Sequence, residues 1–139
     1  MSATGAGDLA PFHWADYFET GFGDVSTSQS PFPINSVAEG VEFAKAVNRP
    51  SIRVLADFYH MDEENEPLET LLDNRDWLAH IHVADTGRLA PGTGVYPYAR
   101  FVDLLRHADY DGMVSVECSW KDFVVEAKSA VEFLRSVFG

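Results

Sequence analysis

Apolar residues recur at helical spacing along four stretches of the chain and at every second position along three others, and the two periods alternate. Val37, Val41, Ala44 and Val47 fall on one helical face. Ahead of them, Ser36-Val37-Ala38-Glu39 has the spacing of a capping box, in which a Ser hydroxyl and a Glu carboxylate satisfy backbone N–H groups at a helix start. Asn48-Arg49-Pro50 stops this helix, because the residue before a proline is driven out of the helical region. Leu68, Leu71 and Leu72 mark a short helix beginning near Pro67, a good first-turn residue. Tyr98, Phe101, Val102, Leu105 and Ala108 form a third stripe, and Phe123, Ala127, Val131, Leu134 and Phe138 a fourth. Between the stripes, Ile52–Asp57, Trp77–Ala84 and Met113–Cys118 read as strands. The order from Ser36 onward is α-β-α-β-α-β-α. Strands and helices alternating in this way imply right-handed crossovers and a parallel sheet, the α/β class.

Residues 1–34 carry no such period. Gly5, Gly7, Gly21 and Gly23, the polar run Ser26–Ser30 and Pro31-Phe32-Pro33 interrupt it. A short strand around His13–Phe18 is the one element expected there. The chain therefore divides into an irregular segment, 1–34, and an α/β unit, 35–139.

At 139 residues the chain fits one ordinary domain, and 46% hydrophobic with 13% aromatic residues argues against wholesale disorder. No apolar run approaches the roughly 20 residues of a membrane span, and no basic stretch followed by an apolar one opens the sequence, so cytoplasmic residence is expected. The net charge of -12, from 22 acidic and 10 basic residues, argues against a nucleic-acid partner, which needs clustered Lys and Arg. It is compatible with a cation site. Cys118 is the single cysteine, so no intrachain disulfide can form, and a buried structural thiol is expected.

The strand faces carry the chemistry. Val54 and Ala56, Ile81 and Val83, and Val114 and Val116 are small or β-branched, as the helix-covered outside of a parallel barrel requires. The alternate positions are Leu55 and Asp57, His80 and His82, Ser115 and Glu117, so the polar residues point inward. Asp57, His82 and Glu117 stand at or near the C-terminal ends of three successive strands, the rim where such barrels place active sites. A strand-terminal Asp alone reads as a cap, a lone His as structural and a lone Glu as solvated. Three together at matching strand ends read as a mixed oxygen and nitrogen site for one divalent cation, Mn, Mg, Co or Zn.

At these positions the sequence resembles a known family. Leu55-Ala56-Asp57-Phe58-Tyr59-His60-Met61, His80-Ile81-His82-Val83-Ala84-Asp85, Arg88-Leu89-Ala90-Pro91-Gly92, Tyr110-Asp111-Gly112 and Val116-Glu117-Cys118-Ser119-Trp120 are similar to motifs of the xylose-isomerase-like TIM-barrel superfamily. More narrowly they resemble its sugar phosphate isomerase/epimerase group. The resemblance covers about residues 35–139 and implies the C-terminal half of a (β/α) barrel. It implies a divalent-metal-dependent isomerase or epimerase that moves a proton next to a carbonyl through an enediolate. Asp57, His82 and Glu117 match three of the family's four metal ligands, and Glu117 one of its two acid/base carboxylates. His60 and Arg88 match residues that contact substrate oxygens of a sugar or sugar phosphate.

The chain also departs from the family. The fourth ligand and second carboxylate, a Glu ending the preceding strand, has no clear counterpart; Asp24 and Glu19 are the two candidates. The first four barrel strands are missing. A homo-oligomer or a complementary half-barrel chain would supply unpaired strand edges with partners. A catalytically silent half-barrel is the alternative reading, and a sugar dehydratase or an endonuclease IV-like enzyme stands further off.

Overall fold

The alternating periods fold into a parallel sheet with its helices on one side. The computed structural model of the chain describes residues 34–139 together with the strand Tyr17–Glu19. Strands β1 (Tyr17–Glu19), β2 (Arg53–Asp57), β3 (Leu78–Val83) and β4 (Met113–Val116) pair in sequence order, all parallel. Helices α1 (Val37–Val47), α2 (Phe58–Glu63), α3 (Glu69–Asp73), α4 (Tyr98–His107) and α5 (Phe123–Phe138) alternate with them. Four parallel strands are half of what a closed (β/α) barrel of eight requires, so the unit is a partial barrel. β1 runs one residue past the expected His13–Phe18, at Glu19; residues 13–16 lie outside the described ones.

Local signals account for most element starts. Ser36 caps α1 by accepting from the Glu39 N–H at 3.2 Å. The Glu39 carboxylate, however, takes the Asn35 N–H at 2.8 Å rather than that of Ser36. The remaining first-turn donors, Val37 N–H and Ala38 N–H, go to Glu66 at 3.1 and 3.3 Å. Asn48 closes α1 in the left-handed region at φ 50, a conformation Asn tolerates at a helix end. The element absent from the sequence reading is α2. Its six residues begin directly at the end of β2, too few for a helical period to show.

Val54, Ala56, Ile81 and Val83, on the outer face of the sheet, are fully buried against Val37 and Val41 of α1 and Phe101 and Val102 of α4. Phe58 joins the layers: its ring stacks on Phe101 at 4.1 Å and meets Tyr98 edge-on at 5.3 Å, while Tyr98 meets Phe133 of α5. Each such buried side chain contributes about 1.5–3 kcal/mol from leaving water. On the inner face Leu55 is buried whereas Met113 is 70% exposed. No described helix is long and apolar enough to cross a membrane.

Candidate metal centre

Asp57 divides its carboxylate between two tasks. It ends β2 in extended backbone, and Oδ1 accepts the N–H groups of Tyr59 at 2.9 Å and His60 at 3.4 Å, which starts α2. Oδ2 is buried and accepts no hydrogen bond among the described residues; it faces His82 Nδ1 at 3.8 Å. Burial pushes the carboxyl above its ordinary value, against the opposing pull of His82, the two helix N–H groups and Arg88. An uncompensated buried carboxylate oxygen is costly unless something positive comes to it.

Strand register brings that something close. Asp57 and His82 are paired positions of neighbouring strands. Glu117 stands one residue beyond β4, but its N–H still reaches Val83 O at 3.1 Å and continues the ladder. Its Oε2 lies 2.5 Å from His82 Nδ1, and its Oε1 is ion-paired with the Arg88 guanidinium. One donor atom from each of Asp57, His82 and Glu117 falls within 4.8 Å of the others. Side-chain exposure rises from 1% at Asp57 through 19% at His82 to 35% at Glu117, so the group opens to solvent on the Glu117 side.

The donor set fits a divalent cation. Two carboxylates and an imidazole offer oxygen and nitrogen ligands without thiolate, and the orphaned Asp57 Oδ2 is directed into the group. The other expected residues surround it. Arg88 lies over the Tyr59 ring, 5.5 Å from its centroid. His60 is buried in the first turn of α2 against Tyr59. On the inner face one step below, His80 Nε2 meets Ser115 Oγ at 2.9 Å and the His80 ring meets that of His82 edge-on. Burial, then the charge of His82, holds His80 below its ordinary range.

Cys118 differs from expectation: it is free but only half-buried, like the residues of the outermost strand β4 that it follows. Of the candidates for a further carboxylate, Glu19 ends β1 in register with Leu55, and Asp24 lies outside the described residues. Tyr59 and Asp85 have no role apparent from sequence alone. Asp85 carried a usable signal, an acidic residue directly before a loop whose N–H groups need an acceptor.

Comparison with known proteins places the fold. A family model described as xylose isomerase-like TIM barrel matches residues 25–137. A 3-dehydro-D-guloside 4-epimerase of Escherichia coli K12 is 35% identical over 85 residues, 60% of this chain and 32% of the relative. A D-psicose 3-epimerase of Enterocloster bolteae is 28% identical over 139 residues, 84% of this chain and 46% of the relative. The crystal structure of D-psicose 3-epimerase with D-tagatose from Clostridium cellulolyticum H10 superposes with a TM-score of 0.74 at 25% identity, covering 88% of this chain and 48% of that one. The chain thus spans less than half the length of these relatives.

Proposed function

The chain belongs to the xylose isomerase-like TIM barrel family, and from that premise we propose that it forms part of a divalent-metal-dependent epimerase or isomerase of ketoses or their phosphates. Asp57, His82 and Glu117 hold one cation, Mn, Mg, Co or Zn. The observation carrying this reading is the buried Asp57 Oδ2, which accepts no hydrogen bond among the described residues and faces a histidine and a second carboxylate at neighbouring strand ends.

Bound there, a divalent cation would supply Lewis acidity toward a carbonyl and adjacent hydroxyl. Glu117, the most exposed of the three, is the acid/base on one face, exchanging a proton with the neighbouring carbon from that side. Arg88 holds one Glu117 oxygen and presents its remaining N–H groups to substrate oxygens. His60 acts on the same substrate from the first turn of α2. Inversion at carbon needs a second acid/base on the opposite face, for which Glu19 and Asp24 are the two candidates in this chain. The unit 35–139, with segment 1–34 ahead of it, works beside further parallel strands. These come from a second copy or from a complementary half-barrel.

Mn²⁺ with D-tagatose as probe provides the test. Paramagnetic broadening of the ketose NMR signals should require both Mn²⁺ and the protein, and should vanish with His82→Ala. Equal broadening in wild type and variant would refute the site.

A further inference from the structure

We propose that Asp85 is a positioning residue that sets the loop carrying Arg88, and that it acts on substrate only through Arg88. The inference rests on the reading above for the role of Arg88, but its first readout does not. Asp85 is nearly fully buried three residues beyond His82, and its carboxylate collects donors from both ends of the loop. Oδ1 accepts from Thr86 N–H at 2.8 Å, Tyr96 N–H at 3.2 Å and the Thr86 hydroxyl at 3.4 Å; Oδ2 accepts Gly92 N–H at 2.9 Å. Its own N–H donates to Leu89 O at 2.8 Å, closing a five-residue turn with Arg88 inside it.

That turn is unusual in its backbone. Gly87 and Arg88 both lie in the left-handed region, at φ 69 and 60, where an arginine is held only by surrounding contacts. Two of those contacts are visible: the bridge to Asp85, and the Ser119 N–H donating to Arg88 O at 2.6 Å. Ser119 is two residues past Glu117, so the loop is tied to the strand end whose carboxylate Arg88 engages. The loop also packs around Asp85 with no room to spare. A Cβ at Gly94 would stand 2.3 Å from Asp85 Oδ1. A buried acceptor of four donors, fixing a strained segment that bears a functional guanidinium, is the arrangement that positions a side chain within the tolerance catalysis needs.

Asp85→Asn in the full chain is the test, because it puts an NH₂ against one of the backbone donors. With Mn²⁺ present, trypsin cleavage at the Arg88–Leu89 bond, followed by mass spectrometry, should accelerate about tenfold, since a hydrogen bond to a charged acceptor is lost. Mn²⁺ affinity should stay within about twofold. D-tagatose affinity should fall about tenfold in the wild-type background but less than twofold in an Arg88→Ala background, because residues acting through one another are not additive. Unchanged cleavage at Arg88 overturns the proposal whatever the ketose does. Additive losses overturn the route through Arg88. Failure of wild type to bind D-tagatose, with cleavage still accelerated, would contradict the substrate role of Arg88 and leave the loop device standing. Should Asp85→Asn lose its cooperative melt, Thr86→Val is read instead; it removes only the hydroxyl shared by Asp85 and the Val95 N–H. It should accelerate the same cleavage about threefold, and no acceleration overturns the proposal.

Discussion

Replacing Asp57 in two ways separates its two tasks. Asp57→Ala removes the acceptor of the Tyr59 and His60 N–H groups and should destabilise the cation-free protein by about 1–2 kcal/mol, the usual range for a lost helix cap. Asp57→Asn keeps a carbonyl oxygen for those N–H groups and removes only the charge. Because burial holds the carboxyl above its ordinary value, the ionised form at pH 7 costs the native state, and Asp57→Asn should equal or exceed wild type in stability without cation. With Mn²⁺ at a hundred times its dissociation constant the order should invert. Wild type gains about 2.7 kcal/mol by mass action, which for 139 residues is roughly 9 °C in Tm, while neither variant gains measurably. Thermal melts of the three proteins with Mn²⁺ and with chelator read all of this. If Asp57→Asn keeps the full Mn²⁺-induced shift, Oδ2 is not a ligand and the reasoning fails.

Three further outcomes follow from the fold. Phe101→Ala removes a fully buried ring stacked on Phe58, and urea unfolding should show a loss of about 3–5 kcal/mol. Glu66 is raised above its ordinary value by burial, against the pull of the Val37 and Ala38 N–H groups, so its favourable contribution is present below the unfolded pKa and lost as pH rises through the folded one. The stability of wild type relative to Glu66→Gln should therefore fall between pH 4 and pH 7. Burial, then Glu126, pushes the Cys118 thiol up to about 11, with Arg88 opposing; iodoacetamide at pH 8 should alkylate it roughly 100-fold more slowly than the denatured chain. A native rate equal to the denatured one would refute that.

The strands were readable because their two faces differ in composition. Val54, Ala56, Ile81 and Val83 alternate with Asp57, His80 and His82, and burial of the first set follows from the period alone. The same period puts Asp57 and His82 on the inner face near their strand ends, but it does not set them opposite one another: that pairing depends on a register shift between Val54 and Leu55. Glu117 was legible by position, though β4 ends two residues earlier than expected. What sequence could not display was anything made by short or non-local backbone. Helix α2 is under two turns and begins on the carboxylate of a strand-end residue. The turn that aims Arg88 depends on two left-handed residues and on Ser119, thirty-one positions away, and periodicity carries no trace of either. Glu39 capping Asn35 rather than Ser36 is a smaller case of the same kind.

The central claim is that a cation held by Asp57, His82 and Glu117, with Glu117 as base, activates the C–H next to a ketose carbonyl. Inversion would need two carboxylates, but exchange of that proton with solvent needs only one. The direct measurement is deuterium uptake into D-tagatose in D₂O, followed by NMR with Mn²⁺ present. Wild type should incorporate deuterium at the carbon beside the carbonyl, chelator should stop it, and Glu117→Gln should lower the rate by at least about 100-fold. No uptake above the protein-free control, or equal uptake with Glu117→Gln, would contradict the account.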